Sequence, residues 1–348
     1  MQQLTSERPA DKTEKRCAPN VLPIRTGNGL NPGFRESEIY MHDCVVLYGA
    51  LRSGTTMTRL MLDGHPGLAC TGEHDFLFQF LHEATPGAWR YDLSGLEADR
   101  IFRSSGLTFP RGLDGTDALH AMIRQIAEIG KGRPVLVLHA HLEAWSRLLP
   151  NAPVIHLVRD PRDVARSSIG MGWAGNVYYG ATNWLNTERA WSRFPDARRK
   201  AAYDMRYEAL VAEPEAELAK LCTWLGLDYA PSMLTYDTTS TYSRPDGKLA
   251  SQWTSRLSNR EVGLVEARLG PLLAERGYAP AVPHAWPPTA IGRAWLFVQN
   301  KSAIWRHSIE KYGLGLTLGI RVTRWLGLEN WQRALMRRID LITERHLK

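Results

Sequence analysis

Residues Tyr48–Met57 read YGALRSGTTM and follow the apolar run CVVL at 44–47, so a short buried strand feeds a glycine-containing loop and then a helix, TTMTRLMLDGH. Met57, Leu60 and Met61 can share one face of that helix. Gly49 and Gly54 have the separation of a phosphate loop, G-x-x-x-x-G-K-[ST], but Thr55 stands where such a loop keeps its lysine. That lysine reaches the β and γ phosphates of a triphosphate, so ordinary ATP or GTP hydrolysis is not expected. An anion site remains. A helix N-terminus offers unpaired N–H groups, glycine permits close backbone approach, and Ser53, Thr55 and Thr56 add hydroxyls beside the fixed charge of Arg52. The same Gly-Thr-Thr turn also suits a plain helix cap.

A second strand–turn–helix unit lies at PVIHLVRDPRDVARSSI, where Arg159 ends the strand and Ser167 follows eight residues later. Flanking the first turn of the next helix, the two would make a second anion pocket, although Arg159 is also spaced to pair with Asp163. Two such pockets on two strand ends point to a ligand with two separated anionic groups. PVLVLHAHL supplies another apolar β run, while GTDALHAMIRQIAEIG, PEAELAKLCTWLGL and NREVGLVEARLGPLLAERG read as helices. Alternating β and α elements predict an α/β, three-layer domain around a mostly parallel sheet.

Residues 1–40, with scattered Pro and Gly, read as an extended or disordered lead-in, 41–280 as the ordered body, and 281–348 as a Trp-rich helical extension. The composition, 44% hydrophobic and 23% charged over 348 residues, is that of a soluble globular protein. The first sixteen residues are polar, unlike a secretory signal or anchor, and no apolar run reaches the ~18 residues of a membrane span. Cysteines 17, 44, 70 and 222 show no paired metal or disulfide spacing, so a reducing cytoplasm is expected. From His284 onward there are 11 Lys+Arg against 4 Asp+Glu, which leaves 32 of each sign before it. All of the +7 excess is therefore in the extension. Trp295, Val298, Trp305, Ile309 and Tyr312 recur there at helical spacing among Arg293, Lys301, Arg306 and Lys311. That pattern fits first packing on the body or on a second subunit, and after it attachment to an anionic membrane surface, here the inner one.

Three blocks carry a resemblance. RSGTTMTRLMLDGHP resembles the 5′-phosphosulfate loop of the sulfotransferases that use 3′-phosphoadenylyl sulfate (PAPS), VIHLVRDPRDVARSS their 3′-phosphate element, and MRYEALVAEPEAELAKLCTWLGLDY their Y-E-x-L-V-x-x-P segment with Tyr207 near the nucleotide. The similarity runs roughly from Asp43 to Tyr278 and is strongest to the protein-tyrosine and bacterial carbohydrate or metabolite branches. It implies a P-loop-like sulfotransferase fold, PAPS as co-substrate without a metal, and transfer of a sulfuryl group to an acceptor hydroxyl. A glycan, lipid or metabolite is favoured over protein tyrosine, and no nucleic-acid partner is expected. By resemblance, Arg52 takes transition-state charge, assisted by Ser53, Gly54, Thr55 and Thr56. Arg159 and Ser167 hold the 3′-phosphate.

Glu73, 21 residues after Arg52, falls where the protein-tyrosine branch places its base, with His74 an adjacent alternative. The LHAHL segment departs from the family pattern, which carries a lysine there: His139 stands in its place and His141 falls where cytosolic members have their base. The late loop STYSRPDGKLASQW offers Ser240 or Ser243 toward the phosphosulfate and Arg244 or Lys248 toward the 3′-phosphate. Trp173, Tyr178, Tyr179 and Trp184 are candidate acceptor walls, Trp184 and Trp191 being also spaced as core residues. The missing lysine keeps open a non-catalytic nucleotide-binding or membrane-associated module on the same fold and, more remotely, a nucleotide kinase.

Overall fold

A computed structural model describes residues 44–238, 240–242 and 244–347. The expected lead-in, 1–40, and Ser243 lie outside these described residues. In chain order the strands are β1 (Val45–Gly49), β2 (Leu68–Ala69), β3 (Leu81–Thr85), β4 (Ala88–Tyr91), β5 (Arg133–Leu138), β6 (Val154–Val158) and β7 (Tyr203–Arg206). Five of them form one wholly parallel sheet in the order β2-β5-β1-β6-β7. β3 and β4 pair separately as an antiparallel hairpin, an addition that the expected sheet did not include.

The helices that position the site are α1 (Thr55–Asp63), α2 (Gly115–Gly130), α3 (Leu142–Leu148), α4 (Pro161–Gly170), α5 (Thr182–Ser192), α6 (Tyr207–Ala212), α7 (Pro214–Leu225), α8 (Asn259–Leu269), α9 (Ala290–Trp325) and α10 (Glu329–Leu347). Period-two alternation along the strands splits the core into two layers. Val46, Tyr48, Leu136, Leu138 and Val154 face Phe76, Trp145, Trp191 and the Leu119, Met122, Ile123 and Ile126 stripe of α2. Val45, Leu47, Val135, Val137, Ile155 and Leu157 face Met57 and Met61 of α1 and Leu218 and Leu221 of α7. Each such fully buried side chain contributes about 1.5–3 kcal/mol of transfer free energy. The outcome is a three-layer α/β domain.

α2 covers the stretch read as helical from sequence, and α7 ends at Gly226 in the left-handed conformation. The run after Asn259 is instead broken at Gly270, whose ψ of −137° no helix tolerates, and resumes only for Leu272–Glu275. α9 is likewise interrupted at Gly313 (φ 80°, ψ 159°). Its second arm folds back on the first: Thr317 Oγ1 donates to the Ser308 carbonyl at 3.1 Å and the Arg321 guanidinium stacks on Trp305. α10 then runs against both arms, with Tyr312 Oη at the end of the first 3.4 Å from Thr343 Oγ1 and Leu335 against Gly319 of the second.

β1 lies at the centre of the sheet, between β5 and β6. Its neighbours come later in the chain on both sides, so the carboxyl ends of β1, β5 and β6 converge at a topological switch point, where open α/β sheets bind ligands.

Candidate active site

The loop after β1 is shaped by two residues in left-handed backbone, Arg52 at φ 74° and Gly54 at φ 96°. Gly54 is the N-cap of α1, and no side chain caps the first turn. The leading N–H groups of α1 therefore point out of the helix without an intrahelical partner. A side chain at Gly54 is excluded, since a Cβ there would lie 2.3 Å from Cδ2 of Tyr207. Tyr207, buried at the start of α6, is held between that glycine and the Arg159 guanidinium, which stacks on its ring at 4.1 Å. Burial raises the Tyr207 phenol above its ordinary range.

The two anion elements read from sequence are one continuous structure. Arg52 Nε donates to Ser167 Oγ at 2.9 Å, and Arg159 donates from one nitrogen to the Arg52 carbonyl at 3.3 Å and from the other to the Leu249 carbonyl at 3.0 Å. Ser53 Oγ and Arg159 Nε are buried without a hydrogen-bond partner among the described residues. Two unsatisfied donors beside an uncapped helix N-terminus are the groups a bound anion would engage.

Asp163 is a poor alternative partner for Arg159: its Oδ2 is 3.9 Å away and has no hydrogen bond, while its Oδ1 accepts from the Trp253 N–H at 2.8 Å. Asp160 is unavailable as well, being forked with Arg162, which also reaches Glu266 and stacks on Trp253. Glu208 accepts from the Asp160 N–H and from the Tyr278 hydroxyl, so the Tyr-Glu pair divides into a ring packed between Gly54 and Arg159 and a structural carboxylate.

At the end of β5, His139 Nε2 lies 3.1 Å from Thr55 Oγ1 and Nδ1 lies 2.7 Å from Asp75 Oδ2. Asp75 also accepts the His139 and Ala140 backbone N–H groups through Oδ1. Burial alone would raise the Asp75 carboxyl and lower the imidazole. The mutual hydrogen bond and charge reverse both, holding Asp75 below the usual carboxylate range and His139 above the usual imidazole range. The pair thus places a ring whose protonated form is favoured against the first residue of α1. Asp75 was not among the sequence candidates.

Glu73 is half-buried, its backbone bridged to Val137 at the sheet edge. Its charge is close enough to His139 to add to the upward shift of the imidazole. His74 is locked into the same edge: Nδ1 accepts the Val137 N–H at 3.2 Å, Nε2 meets Thr71 Oγ1, and desolvation pushes it down to about 3. It is thus a buried neutral strut with both ring nitrogens occupied. His141, in left-handed backbone ahead of α3, is exposed and makes no hydrogen bond to the loop.

Of the late loop, Arg244 is exposed and paired with Asp237, and among the described residues no hydrogen bond or ion pair joins Lys248 or Ser240 to Arg159 or Arg52. The loop reaches the site by the Leu249 carbonyl and by Gln252, which hydrogen-bonds Arg166. Trp173 lies under the Arg52 guanidinium at 5.9 Å and is 44% exposed, so it lines the open side. Tyr178 and Tyr179 are stacked against Arg268 instead, and Trp184 is core, its indole donating to the Arg159 carbonyl.

With this geometry in place the comparisons are specific. A family profile described as "Sulfotransferase family" matches residues 44–231, which is more than half of the chain. A putative protein-tyrosine sulfotransferase of Caenorhabditis briggsae is 30% identical over 202 residues, 53% of this chain and 66% of that protein, just under two thirds of its length. Protein-tyrosine sulfotransferase 2 of Gallus gallus is 28% identical over 277 residues, 70% of this chain and 71% of that protein. Among solved structures, the sulfotransferase domain of the Synechococcus PCC 7002 olefin synthase superposes with a TM-score of 0.47 at 20% identity, covering 64% of this chain and 93% of that domain. The chain belongs to the sulfotransferase family.

Proposed function

We propose that this protein transfers a sulfuryl group from PAPS to an acceptor hydroxyl. The observation that carries the reading is the hydrogen bond from Arg52 to Ser167, which fuses the loop after β1 and the element after β6 into one cationic groove for two anionic groups. The residues present fit such a donor. The uncapped turn of α1 with Ser53, Thr55 and Thr56 would hold the phosphosulfate, Arg159 and Ser167 the 3′-phosphate, and Tyr207 packs beside them.

The donor supplies a sulfuryl group on a phosphate leaving group. Glu73 takes the acceptor proton as the acceptor oxygen forms its new bond to sulfur. Arg52 and the His139 imidazolium receive the charge left on the phosphate oxygen as the old S–O bond breaks. Both are held in place beforehand, Arg52 by Ser167 and His139 by Asp75, so little reorganisation accompanies the reaction. No metal ion is needed in this scheme.

The test is a thermal-shift titration with adenosine 3′,5′-bisphosphate together with labelled-sulfate transfer. Wild type should be stabilised and Arg159→Ala should lose most of that shift. Glu73→Gln should retain the shift and lose turnover by roughly 100- to 10,000-fold. Absence of any nucleotide-dependent shift in the wild type rejects the reading. A shift with no turnover under any acceptor would leave a binding module.

A further inference from the structure

The extension is attached to the mouth of this site, and its two faces differ. On one side of the first arm of α9, Leu296, Asn300, Ala303 and His307 follow helical spacing and grip the loop after α4. Asn300 Oδ1 accepts from the Gly175 N–H at 2.6 Å, Asn176 donates to the Leu296 carbonyl at 2.8 Å, and Ala303 and His307 lie against Gly175 and Gly172. That loop carries Trp173, the residue beneath Arg52.

At 3.6 residues per turn, the opposite side of the same arm presents Ile291, Trp295 and Val298, and the half-buried Trp305, under Arg321, and Ile309 continue the line. The first three are 84%, 65% and 56% exposed, and a groove of about 770 Å³ runs from Phe297 and Val298 to Ile309. Lys301 and Arg306 fall on either side of this stripe, and both are exposed. The second arm repeats the pattern with exposed Leu314, Leu318, Val322 and Trp325 beside Arg324. No helix among the described residues is long and apolar enough to cross a membrane.

We propose that this outer face of α9 is a docking surface for an anionic lipid bilayer. A membrane is the partner that matches both features at once. Trp and branched apolar side chains enter the headgroup boundary, while flanking basic residues meet anionic headgroups. The entire net positive charge of the chain resides in the segment from His284 onward. A body helix would have its tryptophans covered, and here Trp295 and Trp325 stand open. Because the inner face of α9 holds the Trp173 loop, docking keeps the mouth of the site one helix diameter, ~10 Å, from the bilayer surface. On the sulfotransferase reading above, the acceptor class that follows is a hydroxylated amphiphile presented from that surface.

The test is co-sedimentation of the full chain with vesicles of phosphatidylcholine, alone or mixed with phosphatidylglycerol, without donor. The protein should partition onto the anionic vesicles only, and partitioning should fall as salt rises. Lys301→Glu/Arg306→Glu should lower the partition coefficient by at least about twentyfold, taking each basic residue as worth about fivefold near an anionic surface. Trp295→Ser/Val298→Ser should lower it without changing its salt dependence. Both pairs are exposed and outside the anion groove, so the thermal shift with adenosine 3′,5′-bisphosphate should be unaltered and reports that the fold is intact.

Equal partitioning of wild type and both variants overturns the proposal. So does a dimer in light scattering that the same substitutions dissociate, because the face would then be a contact between copies. The acceptor class has its own arm: labelled sulfur should pass to a hydroxylated amphiphile in anionic vesicles and much less to its headgroup in solution. Vesicle binding with no transfer to any acceptor would count against the enzyme reading and leave the docking surface standing.

Discussion

Asp75 and His139 are 64 residues apart in sequence, and Oδ2 of one lies 2.7 Å from Nδ1 of the other. With Nδ1 committed to the carboxylate, the ring can offer only Nε2 to Thr55 and to whatever anion sits at the α1 N-terminus. The arrangement favours the protonated ring at this strand end, a charge that titrates.

The sign of that titration is fixed. His139 has a raised pKa, so its charge is fully present below the ordinary imidazole value of about 6.5 and is lost as pH rises through the folded value. Asp75→Asn removes the hydrogen-bonded charge that opposes burial. The alkaline limb of the kcat/KM profile should then move to lower pH, and His139→Lys should push it higher. An alkaline limb that stays in place in Asp75→Asn would show that His139 is not the titrating group.

Arg52 is held by Ser167, and the two should separate in kinetics. Arg52→Ala removes charge that acts on the transition state, so turnover should fall by about 100- to 1,000-fold. Ser167→Ala leaves the arginine in place but unanchored, and removes a hydroxyl from the proposed 3′-phosphate site. Its main effect should be on affinity for adenosine 3′,5′-bisphosphate, roughly tenfold or more for a hydrogen bond to a charged group. Calorimetry of nucleotide binding with single-turnover rates distinguishes the two, and equal losses in both quantities for both variants would contradict the assignment.

Gly54 is excluded from substitution by two independent causes, its φ of 96° and the Tyr207 ring. Gly54→Ala should lower Tm and abolish the nucleotide shift. The double variant Gly54→Ala/Tyr207→Ala relieves the clash and leaves the backbone cost of about 1–2 kcal/mol. Its destabilisation should therefore be less than the sum of the single ones. Strict additivity would place the ring elsewhere.

How much of this was legible in sequence depended on range. The strand–loop–helix at Cys44–Asp63 and the second unit ending in Arg159 and Ser167 are local patterns, and the structure brings both together at adjacent strands β1 and β6. Asp75 was not legible, because nothing near it in the chain marks it. Its partner comes from β5, and only the parallel pairing of β5 with β2 and with the Glu73 bridge beyond it sets the two side by side. His74, the adjacent alternative to Glu73, has both ring nitrogens tied to Val137 and Thr71, contacts that only the folded sheet edge creates. The fold-back at Gly313 escaped for the opposite reason: glycines at 313 and 315 sit in a segment whose helical periodicity continues on both sides. Trp295 and Val298 were read correctly as one helical stripe, but which side of α9 faces the body was set by Asn300 and His307 meeting the Gly172–Asn176 loop.

His156 is another buried imidazole, placed mid-strand in β6 and only 1% exposed. Its ring stacks on Trp191 at 4.2 Å, with Nδ1 3.0 Å from Asp204 and Nε2 3.3 Å from Glu188, a carboxylate itself fully buried and shared with Arg276. Desolvation would lower its pKa, but Glu188 and the hydrogen bonds to both carboxylates raise it. A raised folded value means that the stabilisation is complete below the unfolded value of about 6.5 and is lost as pH rises through the folded one. Asp204 is largely exposed and screened, so the Glu188 contact dominates. His156→Leu keeps an apolar filler against Trp191 but leaves Glu188 to Arg276 alone. Breaking one partner of a buried ion pair costs about 3–5 kcal/mol, and the surviving arginine should hold the loss toward the lower end. Denaturant unfolding at about pH 6 and again at about pH 9 tests the linkage. Wild type should lose stability between the two, and the variant should be less stable at the lower pH and closer to wild type at the higher. A gap between the two proteins that does not narrow with pH would mean that His156 is neutral in the folded state and contributes by packing alone.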